Sequence, residues 1–325
     1  MAHTESYYFR GVACAVSAIA HFGDSAGGTD QPFRREDFCV DGEMLSIPVI
    51  SGNSFRGMLR DKGMYFMLKV LGFGEEEAIK LSVPAFHLLT SGGALSKDTG
   101  RGIPLGEERR LREMIPLLGI FGGATGRNIM HGKLYMGKWY VICKEMKQYL
   151  PEEYHDHPKI EKSFRQYLSI QRYSRKDDAK DYQWHQFIEG PQEQLDLLTA
   201  PKKETAKDGT EVAIKDVAQQ MRYGFETLSA GTEFSCWIQL NDVTKLEFEA
   251  FASSLVEWSK APMIGGQHRH GCGLVALTFD EWHSVSPLAQ RKDESQAVGL
   301  PLGESYVSHL QEHKREILDL LKGVA

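Results

Sequence analysis

Hydrophobic positions along the first third of the chain predict a strand, a short extended segment and a helix. Residues 7–20 are apolar, small and partly β-branched, which predicts a buried strand that runs into a turn-rich loop. Residues 44–50 form a short extended segment, and residues 51–54 carry Ser and Asn side chains that favour a helix N-cap. Apolar residues then recur at three- and four-residue steps from about 55 to 70, which predicts a helix with one buried face.

The apolar pattern of the remaining chain predicts further strands and helices. In chain order they are a short helix at 108–118, a strand around 134–141, two strands in 221–242 joined at 229–232, a helix at 245–260, a strand at 274–279 and a helix at 303–322. Without insertions, the order is strand, helix, strand, strand pair, helix, strand. This order is close to an α+β, ferredoxin-like (RRM-like) fold, a sheet with two helices on one face.

Two stretches interrupt this pattern and are predicted to be insertions. Residues 72–106 are rich in Gly, Ser, Lys and Arg, which predicts a flexible inserted loop. Residues 144–216 are rich in charge, His, Gln and Tyr and lack a sustained apolar stripe. The predicted ferredoxin-like domain therefore comprises 1–71, 107–143 and 217–300, followed by a C-terminal helix at 301–325.

Composition predicts a globular protein with no metal or other cofactor. The chain has 325 residues, of which 42% are hydrophobic and 25% charged. Its five cysteines lie far apart without a C-x-x-C pair, so neither a zinc knuckle nor a disulfide framework is indicated. The first residues lack a basic and an apolar signal region, and no window reaches about 18 apolar residues. A cytoplasmic protein without membrane contact is expected.

The charge balance at first argues against nucleic-acid binding. The net charge is -6 and the pI about 6.1, whereas nucleic-acid binders usually carry a basic footprint. Locally the balance reverses: residues 159–180 hold seven Lys and Arg against three Asp and Glu, with Phe164, Tyr167 and Tyr173 interleaved. Basic residues beside aromatic rings suit a single nucleic-acid strand. A solvated charged helix with its rings packed inward would give the same pattern.

The predicted start of the 55–70 helix is a candidate anion site. Asn53 and Ser54 precede or open the first turn, where free backbone N–H groups carry partial positive charge. Arg56 and Arg60 are four residues apart, so both side chains can project to one side of the helix. An ordinary capped helix with surface arginines would show the same residues.

Two glycine-containing loops carry further candidate groups. Residues 265–273 include Gln267, His268, Arg269 and His270 among four glycines, which would let a backbone approach a phosphate closely. A strand follows them, so the pattern is not a dinucleotide-binding fingerprint, and a plain polar hairpin is equally compatible. Residues 119–128, which include Arg127, lack both the Walker A lysine and a nucleophile elbow.

Together these segments resemble the RAMP superfamily of CRISPR-associated proteins, specifically its backbone subunit (the Cas-seven family). Residues 47–60, IPVISGNSFRGMLR, are similar to the family's "IPGSSLKGxLR", residues 118–122 to its "LFG" element and residues 229–234 to its "PAGTxF" turn. Residues 264–273 resemble its late glycine-rich loop. The segments come in the family's order, and the long first loop and the His-Arg-His loop are most similar to the type IV subunit.

The resemblance implies an RNA-binding palm with a thumb-like insertion at 144–216. Copies would form a helical oligomer along the guide RNA of an antiviral ribonucleoprotein, with the target nucleic acid and other effector subunits as further partners. Specificity would come from base pairing, while the protein holds the RNA backbone. The implied RNA-binding residues are Asn53, Ser54, Arg56, Arg60, Arg127, Arg165, Arg172, Arg175, Gln267, His268, Arg269 and His270.

Two catalytic alternatives remain beside this structural role. In type III relatives an aspartate in "GGxDxP" helps to cut target RNA, and residues 27–32 place Asp30 at that position, although Asp30 would serve equally as a turn residue. A guide-processing endoribonuclease of the same superfamily would use histidines such as His21, His131 or His268. One recognisable palm and a thumb-like insertion oppose that alternative, and a stand-alone single-strand binder is a third. The expected protein is not an enzyme.

Overall fold

The computed structural model describes residues 3–23, 30–74, 79–93, 104–125, 128–175, 203–205, 211–213, 221–285, 296–297 and 303–324. Two compact units divide the chain. The first unit comprises Met1–Gly23, Phe33–Leu168 and Thr227–Ala325, and the second comprises Asp24–Pro32 and Ser169–Glu226.

The helices and strands of the described residues agree broadly with the apolar pattern. The strands are β1 (Thr4–Ala15), β2 (Asp30–Gln31), β3 (Arg35–Val40), β4 (Glu43–Ile50), β5 (Gly123–Thr125), β6 (Asn128–Met130), β7 (Leu134–Met136), β8 (Trp139–Val141), β9 (Leu168–Arg175), β10 (Lys203–Thr205), β11 (Glu211–Ala213), β12 (Met221–Leu228), β13 (Glu233–Thr244), β14 (Val275–Val285) and β15 (Gln296–Ala297). The α-helices are α1 (Gly52–Val70), α2 (Val83–Thr90), α3 (Leu105–Met114), α4 (Pro116–Phe121), α5 (Lys245–Ser259), α6 (Glu304–Glu312) and α7 (Lys314–Gly323).

An antiparallel sheet is the frame of the first unit, so the protein is of mixed α+β class. Its strand order is β15-β14-β1-β13-β8-β4-β3, and β7 pairs with β13 beside β8. The two central strands, β1 and β13, pair antiparallel along nearly their whole length, from Thr4 opposite Thr244 to Cys14 opposite Glu233. No described helix has the length and the apolar composition needed to cross a membrane.

Helices α1 and α5 cover one face of this sheet. Alternate residues of β1 are buried, and the Phe9 ring lies 6.4 and 6.5 Å from the rings of Phe248 and Phe251 on α5. Phe55 of α1 contacts Trp139 of β8, with a ring-centroid distance of 5.0 Å. These aromatic side chains form the core between the sheet and the helices. Alternate residues of the strand and one apolar side of each helix face this core, as the geometry of strands and helices requires.

A β-hairpin of β3 and β4 occupies one edge of the sheet and was missed by the sequence reasoning. Asp41 and Gly42 connect the strands with φ values of 51° and 85°. Two successive residues with positive φ make the tight turn whose twist suits a hairpin, and Asp-Gly is among its strongest sequence signals. The signal was present between 40 and 43, and only the strand after it was predicted.

The two strands predicted within 221–242 are present but do not pair with each other. β13 joins the central sheet, whereas β12 belongs to a three-stranded sheet ordered β2-β12-β9. The cause lies in the link between them: Ala15 of β1 accepts from Gly231 N and donates to Thr232 O, while Leu228 exchanges hydrogen bonds with Ile19. Residues 228 and 232 are therefore bonded to different partners, Ile19 and Ala15, so β12 and β13 do not form a tight hairpin.

The second unit contains the described residues of the predicted thumb from Ser169 onward and three described residues of the first long loop, 30–32. Asp30 and Gln31 of β2 run parallel to Gly224 and Phe225 of β12, and Tyr173 of β9 contacts Phe225 edge-on at 6.1 Å. Strands β10 and β11 pair antiparallel. Residues 144–168 belong to the first unit instead, where Met146, Tyr154 and Phe164 of three short 3-10 turns are buried. The domain boundaries given above stay a prediction.

The stretch expected to be a loop at 72–106 contains helix α2. Ser82 begins the helix, since its hydroxyl accepts a hydrogen bond from Ala85 N, and a proline occupies the first turn. Leu88 and Leu89 are buried in the core. The helix has only eight residues between two polar segments, which is too short for its apolar periodicity to be recognised in the sequence. Packing of Leu88 and Leu89 in the core stabilises it.

Helices α1 and α5 cross most closely at Gly63, which gives a stability prediction. A Cβ at Gly63 would lie 2.1 Å from the Ser254 hydroxyl oxygen, whereas one at Gly57 of the same helix would meet nothing. Gly63→Ala should lower the free energy of unfolding by about 1–3 kcal/mol through overpacking. The matched Gly57→Ala should raise it by up to about 1 kcal/mol through helix propensity. Urea unfolding measures both, and equal effects of the two substitutions would contradict the close crossing.

Candidate nucleic-acid interface

The residues that follow β1 bring together three chain segments distant in sequence. We call residues 15–21 the connector segment. Its carbonyl groups at Ala18 and Ala20 accept hydrogen bonds from Gly273 N and Gly266 N, at 2.8 and 2.7 Å. The His21 ring accepts one through Nε2 from Ser51 N, at 3.1 Å, where α1 begins. The late glycine-rich loop and the start of α1, both singled out by sequence, therefore lie on either side of one short segment.

Glycine is required where the late loop meets the connector segment. Gly265 has a φ of 78°, and a Cβ there would lie 2.2 Å from the Ala20 carbonyl oxygen. Neither the backbone conformation nor the space admits a larger residue. Gly265 is thus explained by a close backbone approach rather than by flexibility, whereas a Cβ at Gly266 would make only an ordinary contact with Ala20 O at 3.9 Å.

The late loop presents its polar side chains to solvent. Gln267 has a left-handed conformation, with a φ of 56°, and the next three residues form a single 3-10 turn. Its base is closed by a hydrogen bond of 2.8 Å from Ile264 N to Gly273 O. The side chains of His268, Arg269 and His270 are exposed, and that of Gln267 is half-buried. The loop can therefore offer donors and one full positive charge to an anion.

The first turn of α1 also faces outward without a side-chain cap. Ser51 begins the helix but makes no capping hydrogen bond with its side chain, and no acidic residue lies in the first turn. Asn53 is exposed and Ser54 half-buried. Gly52 fits because a Cβ would lie 2.7 Å from Gly137 O in the turn between β7 and β8. The helix dipole and the two polar side chains favour an anion at this position.

Arg60 lies in the interior, where it holds two other helices. Its side chain is 8% exposed, and Nε donates to Leu89 O at 2.7 Å. Nη2 donates to Leu88 O at 2.8 Å and to Gly122 O at 2.9 Å. These carbonyls end α2 and α4, where helices carry partial negative charge and lack partners. The guanidinium therefore stabilises the packing of α1 against α2 and α4. Arg60 is not among the RNA contacts that we propose.

Arg56 has a related position one turn earlier. Its Nη2 donates to Phe121 O, the last carbonyl of α4. Burial lowers the pKa of Arg56 below its ordinary value and lowers that of Arg60 to about 10, so Arg60 stays protonated at neutral pH. The two arginines share one side of α1, as their spacing predicted, but that side is turned toward α2 and α4.

The described arginines predicted in the thumb belong to both units of the chain. Arg165 is exposed in the first unit, with its guanidinium 5.6 Å from the centre of the Phe164 ring. Arg172 is exposed on β9 of the second unit. Arg127 and the side chain of Arg175 lie outside the described residues, as does the side chain of Asp30. Their predicted roles stay predictions.

Sequence reasoning missed Arg34 as a cation of this region. Arg34 N donates to His21 O at 2.7 Å, and the pKa of His21 is lowered to about 4 by burial and, second, by the positive charge of Arg34. The ring is therefore neutral at physiological pH, with Nε2 engaged by a backbone amide. No group of three or more His, Cys, Asp or Glu able to hold a metal occurs within the described ranges. No motif around 34 distinguished this arginine from its neighbour Arg35.

Comparisons with known proteins identify the fold. No protein-family model and no curated protein matches the chain. A solved structure described as a "Type IV-B CRISPR Complex" contains a chain of 22% identity and TM-score 0.54, with 92% of this chain and 96% of that chain covered. The crystal structure of Thermofilum pendens Csc2 matches with 12% identity and TM-score 0.38, over 98% of this chain and 76% of that chain. The first likeness confirms, at the level of the fold, the resemblance to the type IV CRISPR subunit.

The buried position of Arg60 predicts a loss of stability on a charge-conserving substitution. Arg60→Lys keeps the charge but replaces the planar fork, so carbonyls at the ends of α2 and α4 lose their donors. We expect the free energy of unfolding to fall by about 2–4 kcal/mol. The exposed Arg269→Lys is the matched control and should stay within about 0.5 kcal/mol of wild type in urea unfolding. An unchanged Arg60→Lys would return Arg60 to the candidate RNA contacts.

The lowered pKa of His21 predicts a loss of stability on mild acidification. Because the pKa is about 4 when folded and 6.5 otherwise, the unfolded chain binds the extra proton as the pH falls from 6.5 to 4. At pH 5.5 this should cost about 1 kcal/mol relative to pH 7.5. His21→Gln retains an acceptor for Ser51 N but does not titrate, so its unfolding free energy should fall less over the same interval. An equal fall in both proteins would be inconsistent with a neutral His21.

Proposed function

We propose that the chain is a backbone subunit of a multisubunit CRISPR effector ribonucleoprotein. Copies oligomerise along the spacer of the guide RNA, bind its phosphate backbone and leave its bases available for pairing with a target. The observation that carries the proposal is the fold likeness to a chain of a type IV-B CRISPR complex over 92% of this chain and 96% of the other. A likeness over almost the whole of both chains favours the same kind of molecule rather than one shared domain.

The strand order supports a ferredoxin-like palm as the RNA-binding body. In that plan two central strands are flanked by one strand on each side, and two helices lie on one face. Here β1 and β13 are central, β14 lies on one side, β7 and β8 lie on the other, and α1 and α5 cover one face. The departure is β12, which precedes β13 in the chain but belongs to another sheet.

The surface around the connector segment has the chemistry that an RNA backbone needs. It combines the uncapped first turn of α1 with the exposed side chains of Asn53, His268 and Arg269, and with the backbone donors of a glycine-rich loop. Contacts of this type read backbone and shape, while sequence is read by base pairing. The contact set we propose at this surface is Asn53, Ser54, Gln267, His268, Arg269 and His270.

This role needs no chemical step by the protein. The His21 ring is neutral, half-buried and hydrogen-bonded to Ser51 N, which suits positioning of the connector segment better than proton transfer. We propose that the subunit organises RNA without cutting it. Asp30, on β2, is the position to vary if cleavage is ever observed.

Charge removal in the late loop tests RNA binding. Arg269→Ala should weaken binding of a labelled guide RNA about tenfold at low salt and lower the slope of log K against log salt by about one, regardless of the guide sequence. Fluorescence anisotropy over a salt series, with protein-to-RNA stoichiometry from light scattering, measures both binding and assembly along the RNA.

The control is Arg315→Ala on α7, which removes an equally exposed arginine far along the chain from the loop. It should leave affinity, slope and stoichiometry unchanged. A loss for Arg269→Ala that depends on guide sequence would count against backbone reading. A single protein copy bound per guide, independent of guide length, would count against a subunit that assembles along RNA.

A further inference from the structure

The face of the main sheet opposite α1 and α5 carries aromatic side chains that the proposed function does not use. We call it the outer face. On β1 the residues Tyr8 and Arg10 point to this face, and on β13 the residues Trp237 and Gln239 do so, because Phe9 and Ile238 between them are buried on the other side. All four are half-buried rather than covered. Tyr135 of β7, opposite Gln239, is 51% exposed on the same face.

These side chains form an ordered cluster rather than scattered surface residues. The rings of Tyr8 and Trp237 are nearly parallel, with a centroid distance of 6.1 Å and an interplanar angle of 27°. The guanidinium carbon of Arg10 lies 5.5 Å from the centre of the Tyr8 ring, and its Nε donates to the Tyr8 hydroxyl oxygen at 3.2 Å. A Cβ at Gly137 would lie 2.2 Å from Trp237 Nε1, so the indole is also held in place by the backbone of the turn before β8.

The charge on the outer face is less repulsive to an anionic polymer than the net charge of the whole chain would suggest. From Tyr8 to Cys14 and from Ser235 to Asn241, the side chains on this face include no carboxylate and one arginine, Arg10, whose charge is compensated by Glu153 at 3.0 Å, so the face is close to neutral. Glu233, which follows at the end of β13, is paired with His157 and Lys159 at 3.0 Å each. In a protein of net charge -6, two central strands without a carboxylate on their solvated face are a favourable place for phosphates.

We propose that the outer face binds single-stranded nucleic acid by stacking bases on Tyr8, Trp237 and Tyr135. Aromatic side chains on the central strands of an open sheet can accept unstacked bases on their π-faces, and an arginine plane adds to the stack. By the strand register, Tyr8 and Tyr135 lie on the two sides of Gln239, and Trp237 lies two residues before Gln239 on β13, so the three rings share one small area of the face. This site shares no residue with the surface around the connector segment and does not depend on the proposed function.

The proposal predicts a binding mode that differs from phosphate binding. Arg10 is paired with Glu153 at 3.0 Å, so its charge is largely compensated and contributes few released counterions. Binding at the outer face should therefore depend on rings and only weakly on salt. Binding through Arg269 should depend steeply on salt, which separates the two sites in one experiment.

The test uses the full chain and octauridylate at about 0.3 M salt, where phosphate-dominated binding is suppressed. Stacking on Trp237 should quench tryptophan fluorescence, and because the chain has five tryptophans, the part of the quenching that Trp237→Phe abolishes is the part assigned to this site. Tyr8→Ala and Trp237→Ala should each weaken binding by about 5- to 100-fold, measured by anisotropy of labelled octauridylate. Tyr8→Phe and Trp237→Phe, which keep a ring, should bind within about threefold of wild type, the latter with reduced quenching.

The matched control is Tyr65→Ala on α1, since Tyr65 is 60% exposed on the helical side of the sheet. It should bind octauridylate as wild type does. Equal affinities of wild type, Tyr8→Ala and Trp237→Ala would overturn the proposal. So would a fall in self-association of these two variants without a change in octauridylate binding, because the outer face would then be a protein contact. Neither result would bear on guide binding, which Arg269→Ala tests separately.

Discussion

The backbone hydrogen bonds of the connector segment are the constraint on which the arrangement of this protein depends. In seven residues from the end of β1, this segment joins the link before β13, the late loop before β14 and the start of α1. Each partner comes from a different part of the chain. Because backbone groups of the segment and of these loops pair with one another, the loops can expose polar side chains while their backbone stays hydrogen-bonded.

Buried arginines have a comparable organising role among the helices. Short helices such as α2 and α4 end in carbonyls that water would otherwise solvate, and Arg60 and Arg56 supply donors from α1 instead. A buried charge is stable only when such partners are present. The charge of these guanidinium groups thus serves packing, whereas Arg269 of the late loop is exposed.

The net charge of the chain does not describe the charge at each of its surfaces. Carboxylates such as Glu247 and Glu249 are buried in structural roles: Glu247 completes a capping box and pairs with Lys133, and Glu249 accepts from Tyr306 N at the start of α6. Acidic residues that are buried in such pairs repel a polyanion at a distant surface less than the net charge of -6 suggests. Two surfaces of the first unit, the region of the connector segment and the outer face, combine positive or neutral groups with donors or rings.

The sequence by itself determined the main elements and the segments that matter. Alternation in β1 and the apolar stripes of α1 and α5 have local causes, so they can be recognised without a partner, and Asp41-Gly42 could have been recognised too. Only the tertiary structure decided that β12 leaves β13, that Arg60 turns inward and that His21 loses its charge. Each of these depends on residues tens of positions away, through a hydrogen bond or burial that no local pattern encodes.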